Sequence, residues 1–179
     1  MPLDEAKLRD LALSYVARYA TSAAKLERYL SRKLRELGWA EDVSRPDIPA
    51  LVARYVELGY IDDEGFARAK SGSLLRRGYG VRRVNQALGQ DGIAAALREE
   101  VAPGQVEQRH AVLTLARKRR FGPFGVLPLE RDKREKQIAA MLRAGHSLDF
   151  AREMVDATSE EAAEQWAHEL DEDCGDEGW

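Results

Sequence analysis

Residues 59–93 read GYIDDEGFARAKSGSLLRRGYGVRRVNQALGQDGI, and this stretch sets the pattern for the whole chain. Asp62 stands where a helix N-cap belongs, and the two acids behind it fall in the first turn, where the helix dipole favours anions. Gly78-Tyr79-Gly80 then predicts a turn into a second helix, which we expect to end near Gly89–Gly92. The stretch therefore predicts two consecutive helices joined by a short turn.

Apolar residues recur at helical spacing through the rest of the chain. One such stripe is formed by Leu26, Leu30, Leu34 and Leu37. Gly38 can end that helix, and Asp47 with Pro49 predicts the start of the next. Further helices are expected over about 94–101, from Val106 to Arg119, up to Gly145 and from Ser147. Because alternation of strand length is almost absent, we predict an all-α fold.

Three of these helices end alike, with Leu34, Leu88 and Met141 each placed four residues before a glycine. The spacing predicts a three-helix module of about 53 residues, used about three times in an elongated tandem array whose first copy is incomplete. The first, incomplete repeat is predicted at 1–40 and the second three-helix repeat at 41–93. The third repeat is predicted at 94–157, with a Pro/Gly loop at 121–128 and a following helix. Residues 158–179 are predicted to form an acidic, partly disordered tail. Arrays of this kind more often bind extended partners than enclose a small-molecule pocket.

The charge of the chain is divided unevenly. The 28 Lys and Arg against 31 Asp and Glu leave a net charge of −3, but residues 156–179 hold ten acids and no Lys or Arg. Residues 1–155 are therefore at +7 and the tail is at −10. One cysteine, Cys174, allows no intrachain disulfide, and neither a signal peptide nor a membrane-spanning run is expected. We expect a soluble, cytoplasmic monomer.

Motifs for catalysis, metal binding or cofactor binding are missing from the sequence. The histidines at 110, 146 and 168 are isolated from one another and from Cys174, and no pair has metal-ligand spacing. Gly78-Tyr79-Gly80 lacks the preceding strand and third glycine of a dinucleotide fingerprint. The acids at 62–64 are interpreted as helix capping in preference to general acid/base chemistry or a metal site. We expect no enzyme, no catalytic residue, no metal and no cofactor.

Two basic clusters are the candidate partner-binding residues. They are Arg76, Arg77, Arg82 and Arg83 around Tyr79, and Arg117, Lys118, Arg119 and Arg120 before Phe121. A third group at 131–136 is diluted by acids. Basic side chains at helix C-termini can simply complement the dipole, or they can contact phosphates or an acidic protein. Likewise Tyr79 or Phe121 can stack on a base or pack between helices, and the sequence leaves both alternatives open.

The motifs at 59–93 closely resemble the core signature of the RecX family of regulatory proteins. The matching residues run from Gly59-Tyr60-Ile61-Asp62-Asp63 with Phe66-Ala67 to Arg77-Gly78-Tyr79-Gly80, Arg83-Val84, Leu88 and Gly92-Ile93. The likeness extends over roughly residues 8–157, with Ser22 to Leu34 similar to the first repeat and Lys136 to Gly145 similar to the third. The loop at 121–128 and the extension from about Thr158 depart from the family pattern.

This resemblance implies a fold of tandem three-helix repeats and a non-enzymatic regulator, most often an inhibitor, of the RecA recombinase. Such proteins lie in the groove of the RecA–DNA filament and limit its growth, ATP hydrolysis, strand exchange and co-protease activity in DNA repair, recombination and the SOS response. The expected partner is the RecA filament, and single-stranded DNA, contacted directly or within the filament, is left open. A helical DNA-binding module acting without RecA is the alternative.

The acidic tail suggests one more hypothesis, which rests on the charge split alone. A segment at −10 can fold back on a basic face and compete with DNA, lowering non-specific binding. Truncation after Asp156 is the test that the sequence suggests, since DNA affinity and its salt dependence would then rise.

Overall fold

The structure is a computed structural model that describes residues 1–40, 42 and 44–171. Ten α-helices lie in this part of the chain. They are α1 (Glu5–Arg18), α2 (Ala23–Leu37), α3 (Ile48–Glu57), α4 (Asp63–Arg76), α5 (Val81–Gln90), α6 (Ala95–Glu100), α7 (Gln105–Arg119), α8 (Arg131–Arg143), α9 (Leu148–Val155) and α10 (Glu160–His168). A single 3-10 turn, Gly122–Phe124, lies in the Pro/Gly loop. These defined residues contain no β-strand, so the predicted all-α fold class is confirmed.

Short polar side chains begin many of the helices, as the sequence indicates. The carboxylate of Asp47 accepts a hydrogen bond from the Ala50 N–H at 3.0 Å at the start of α3. At the start of α4, Asp62 accepts from the Gly65 N–H at the same distance. Each bond satisfies one of the backbone donors that a helix N-terminus leaves without an intrahelical partner. The interpretation of Asp62 as a capping residue is therefore confirmed.

One compact unit comprises Met1–Arg68 together with Leu88–Arg98. Its core consists of Leu3, Leu8, Ala12, Leu26, Leu30, Ile48, Val52, Tyr55 and Ile61. The start of α2 is bonded to two other parts of this unit: the Ala23 N–H donates to Asp63 at 2.8 Å, and the Ser22 hydroxyl donates to the Asp91 carbonyl at 2.5 Å. Asp63 thus caps α2, whereas its neighbour Asp62 caps α4. The two adjacent acids therefore have separate structural roles.

The other compact unit comprises Ala69–Ala87 and the described residues from Glu99 onward. Its core consists of Val112, Leu113, Leu115, Ala116, Phe121, Ile138, Ala140, Met141, Ala151, Met154, Val155, Ala163 and Ala167. The last two belong to α10, so the predicted short helix after Thr158 is confirmed and is an integral part of the core. The segment predicted to be disordered, Asp171–Trp179, lies outside the described residues except for its first member.

The turn between α4 and α5 is packed tightly within this second unit. Gly78 has φ +89°, and a Cβ at that position would lie 3.1 Å from the backbone of Leu115 in α7. The Gly80 N–H donates to the Ala144 carbonyl at 2.9 Å, and the buried His146 donates from Nε2 to the Gly78 carbonyl at 2.7 Å. Burial lowers the pKa of His146, which favours the neutral ring. Glycine is required here for both conformation and space.

The repeat boundaries at 1–40, 41–93 and 94–157 stay a prediction. Compact packing and sequence repetition are different criteria, and α4 and α5 each contribute residues to both compact units. Among the helices that the structure defines, none has both the length and the apolar character that crossing a bilayer requires.

Candidate functional site

The turn between α4 and α5 gathers four exposed arginines around one tyrosine. The guanidinium carbons of Arg77 and Arg83 lie 5.2 and 5.4 Å from the centre of the Tyr79 ring. Both distances are within the range of cation–π attraction, and the ring itself is partly buried. Tyr79 therefore contacts two guanidinium groups at the surface. This geometry is compatible with stacking on a base and with packing between helices, so a role of Tyr79 in partner binding stays a prediction.

Helix polarity separates the arginines of this cluster into two kinds. Arg76 stands in the last turn of α4 and Arg77 follows it directly, where positive charge complements the dipole. Arg82 and Arg83 stand in the first turn of α5, where the dipole disfavours them. No carboxylate in the described residues forms an ion pair with either of these two side chains. Dipole complementation thus accounts for the first pair and not for the second, in which Arg83 contacts the Tyr79 ring.

The second predicted cluster ends α7. Arg117 forms an ion pair with Glu164 of α10 at 2.6 Å and lies 5.8 Å from the Phe124 ring. The guanidinium of Arg119 lies 5.2 Å from the ring of Phe121, whose side chain is only 8% exposed. Phe121 is consequently a core residue, so of the two alternatives left open for it the structure shows packing between helices and not stacking on a base.

The two clusters lie side by side because Gly78 packs against Leu115, one helical turn before Arg119. Together they form what we call the arginine surface, whose members are Arg76, Arg77, Tyr79, Arg82, Arg83, Arg117, Lys118, Arg119 and Arg120. Arg143, which the sequence analysis did not single out, ends α8 two residues before Gly145, whose carbonyl accepts a hydrogen bond from the Arg82 N–H at 3.1 Å. The end of α8 therefore lies close to the start of α5.

A further basic region, in the first compact unit, was missed by the sequence analysis. A groove of about 1170 Å³ runs along α1, α2 and the residues after α5. Its basic lining residues are Arg18, Lys25, Arg28, Arg32 and Arg35. Four of them recur along α2 at intervals of three or four residues, which places them on one helix face. That spacing is the sequence signal that could have found the groove.

Three tyrosines lie in the same place, which we call the tyrosine groove. The rings of Tyr15 and Tyr29 are stacked with centroids 4.3 Å apart, and Tyr19 lies 5.2 Å from Tyr15. Tyr19 is 52% exposed, so about half of this residue is accessible to a partner. The guanidinium of Arg32 lies 5.7 Å from the Tyr29 ring. Glu27 and Asp91 also line the groove and partly offset its positive charge.

The structure also corrects the statement that the histidines are isolated from one another. His110 of α7 and His168 of α10 lie with their ring centroids 4.8 Å apart, and both contact Asp171. These hydrogen bonds lower the pKa of Asp171, with that from His168 contributing most. Since 58 residues separate the two histidines in sequence, no local motif indicates this cluster.

Comparison with known proteins gives consistent matches along most of the chain. The family model described as RecX, second three-helix domain, matches residues 62–101, which hold α4, α5 and α6. Regulatory protein RecX of Myxococcus xanthus is 33% identical over 158 residues, covering 84% of this chain and 84% of the relative. Regulatory protein RecX of Chromohalobacter salexigens is 31% identical over 140 residues, covering 78% of this chain and 87% of that protein.

Solved structures agree on the fold. The crystal structure of RecX from Lactobacillus salivarius superimposes with a TM-score of 0.63 over 82% of this chain and 90% of that chain, at 22% identity. A second crystal structure of a regulatory protein RecX has the same TM-score at 19% identity, covering 87% of this chain and 78% of that chain. More than 30% of the aligned residues are identical in two proteins named regulatory protein RecX, and each alignment covers more than two thirds of this chain. The chain therefore belongs to the RecX family of regulatory proteins.

Proposed function

We propose that this chain is a non-enzymatic inhibitor of RecA that acts in the cytoplasm during DNA repair, recombination and the SOS response. It binds in the groove of the RecA–DNA filament and limits filament growth, and thereby ATP hydrolysis, strand exchange and co-protease activity. Membership of a family of regulatory proteins supports a regulatory role. The particular partner and mode of action come from the resemblance described above and are the content of the proposal.

The observation that carries the proposal is the position of Arg82 and Arg83. Both side chains are exposed in the first turn of α5, where the dipole disfavours positive charge and no described carboxylate pairs with them. Charges held in an unfavourable place are better explained by an anionic partner than by stability of the fold. A nucleoprotein filament offers such a partner in its phosphates and in acidic protein surfaces.

The test is DNA-dependent ATP hydrolysis by RecA as this protein is titrated in. We expect the unaltered chain to lower the rate at stoichiometric amounts. The double reversal Arg82→Glu/Arg83→Glu should raise the half-inhibitory concentration by at least about tenfold, because it places repulsive charges at the contact. Glutamates in a first helical turn are favoured by the dipole, so this variant should fold at least as well as the parent.

A matched control is Arg131→Glu/Lys133→Glu, which makes the same charge change in the first turn of α8. Among the described residues, Arg131 pairs only with Glu135, at the surface, where such pairs contribute little to stability. This control should inhibit like the unaltered chain. Equal potency of the Arg82→Glu/Arg83→Glu variant would show that the arginine surface is not the contact.

The tyrosine groove favours a second candidate function, direct binding of single-stranded DNA without RecA. Binding to single-stranded DNA without sequence preference has two components. Basic side chains contact the DNA backbone, and aromatic rings stack on the bases. The groove holds five basic residues and the exposed ring of Tyr19. Fluorescence anisotropy of a labelled oligothymidylate tests this function in the absence of RecA, and an affinity that is weak and independent of salt would exclude it.

A further inference from the structure

His110, His168 and Asp171 form a compact cluster at the contact between α7 and α10. His110 Nε2 lies 2.7 Å from Oδ1 of Asp171, and His168 Nδ1 lies 2.8 Å from Oδ2 of the same carboxylate. One carboxylate is therefore shared by two imidazole rings, one from each helix. The potential ligand atoms of the three side chains all lie within 4.8 Å of one another.

Neighbouring contacts hold the two helices in register around this cluster. Arg109, which precedes His110, donates from Nη1 to the Trp166 carbonyl at 2.8 Å and pairs with Glu169 at 2.9 Å. On the other side, Ala111 and Ala167 are buried in the unit. The residues adjacent to both histidines are thus fixed by packing or by hydrogen bonds, and the relative position of the two rings follows from the fold.

We propose that these three side chains bind a divalent transition-metal ion of the zinc type. Two imidazole nitrogens and one carboxylate oxygen are ligands suited to Zn²⁺, whereas Ca²⁺ and Mg²⁺ prefer sites made of oxygen. Tetrahedral zinc at its usual bond lengths sets its ligands about 3.3 Å apart. The observed nitrogen–oxygen distances of 2.7 and 2.8 Å, each to a different oxygen of Asp171, therefore need to open by about half an ångström. The widest separation among the ligand atoms, which is within 4.8 Å, needs to close by about 1.5 Å, and the exposed side chains at the end of α10 have the freedom for both shifts.

Access and proton placement are compatible with binding. The side chains of His110, His168 and Asp171 are 40%, 50% and 37% exposed, so an ion can enter from solvent and water can complete its coordination. Metal binding requires each ring to turn a lone pair toward the ion and carry its proton on the other nitrogen. Half-exposed rings can bond that proton to water, so the change requires no rearrangement of the core.

A bound ion would link the end of α10 to α7 at the point where the acidic C-terminal segment begins. Asp171 is the last described residue, and the segment after it contains four more acids. The predicted consequence is that metal raises the thermal stability of the protein, because the ion binds the folded arrangement and not the separated ligands.

The experiment uses the full-length, tag-free chain with Cys174→Ser, because a thiol is itself a zinc ligand. Zinc alone is titrated by competition with a chromophoric chelator, with a calorimetric melt in parallel. We expect one ion per chain, with a dissociation constant on the order of micromolar, and a Tm about 5 °C higher at about 100 times that concentration. His110→Gln and His168→Gln should each weaken binding by at least about tenfold.

Glu161→Gln is the matched control, since it removes an exposed carboxylate from the same helix without touching the cluster, and zinc affinity should be unchanged. Far-UV circular dichroism without metal checks that each histidine variant is folded. Cobalt absorption provides a second measurement, since the visible bands of bound Co²⁺ should be lost in both histidine variants. Absence of saturable zinc binding, or binding that survives both histidine substitutions, would overturn the proposal.

Discussion

The arginine surface and the tyrosine groove use the same residue types in opposite arrangements. In the arginine surface, cations from a turn and from helix ends surround a partly buried Tyr79 that carries two guanidinium groups. In the tyrosine groove, cations line one face of α2 beside three tyrosines, of which Tyr19 is well exposed. The first arrangement presents charge, and the second presents charge with an accessible ring. We therefore expect the first to favour contact with the nucleoprotein filament and the second to favour unpaired bases.

The largest expected effect comes from Gly78→Val, which should destabilise the unit that holds the arginine surface. A β-branched residue at φ +89° is strained, and its Cβ would press against the Leu115 backbone 3.1 Å away. We expect a loss of about 3 kcal/mol in the free energy of unfolding, measured by chemical denaturation.

Gly59→Val is the control for this prediction. Gly59 has a similar φ of +78°, but no atom of the described residues lies within 4 Å of a Cβ there, so the variant should lose only the part due to backbone strain. Equal destabilisation by the two substitutions would show that the contact with Leu115 contributes nothing.

Next in size is the effect of Arg32→Glu/Arg35→Glu in the tyrosine groove. Both side chains are exposed and line the groove, and Arg32 loses a surface pair with Glu36 and the contact of its guanidinium with the Tyr29 ring. We expect the affinity for an oligothymidylate at low salt to fall by about 10–100-fold and the salt slope to decrease by about 2, as for two lost phosphate contacts.

The Arg82→Glu/Arg83→Glu variant should bind the same oligonucleotide more tightly than Arg32→Glu/Arg35→Glu does, while inhibiting RecA less. This crossed pattern would sharpen the distinction between the two surfaces. If both variants lose oligonucleotide binding and inhibition in parallel, the two surfaces act as one and the comparison fails.

The smallest expected effect concerns the acidic segment, and the structure changes how it must be tested. Truncation after Asp156 would remove Ala163 and Ala167 from the core, so a change in DNA affinity could reflect unfolding. Glu164→Gln instead releases Arg117 from its ion pair while keeping α10 in place.

Because this pair is about half exposed on both sides, we expect DNA affinity to rise by no more than about fivefold. Glu161→Gln makes the same charge change without an arginine contact and should have a smaller effect. If the two substitutions raise affinity equally, the segment acts through net charge and not through Arg117.

Local signals in the sequence predicted much of the fold. Asp47, Asp62 and Ser147 each stand at a helix start because a short side chain can bond the nearby backbone N–H groups. Gly78 lies in the turn that the sequence predicts between two helices, and it has the positive φ that favours glycine after a helix. These features depend on residues within a few positions of one another, so the sequence contains all that is needed to infer them.

Features that depend on distant residues could not be predicted in this way. Asp63 bonds the start of α2 from 40 positions away, and His110 meets His168 only because α7 and α10 pack together. The tyrosine groove requires Tyr15 and Tyr29 to come from different helices. Phe121 follows a basic run that suggests an exposed site, yet its ring is buried. The contact between RecA and the residues of the arginine surface stays a prediction.

Electron microscopy of RecA filaments on single-stranded DNA tests the central claim most directly. Filament lengths would be measured for RecA alone, for RecA with the unaltered chain and for RecA with the Arg82→Glu/Arg83→Glu variant, the two added proteins being at equal stoichiometric amounts. The account predicts that the unaltered chain shortens the filaments and that the variant leaves their length close to that of RecA alone. Filaments of unchanged length with the unaltered chain, or equal shortening by both proteins, would contradict it.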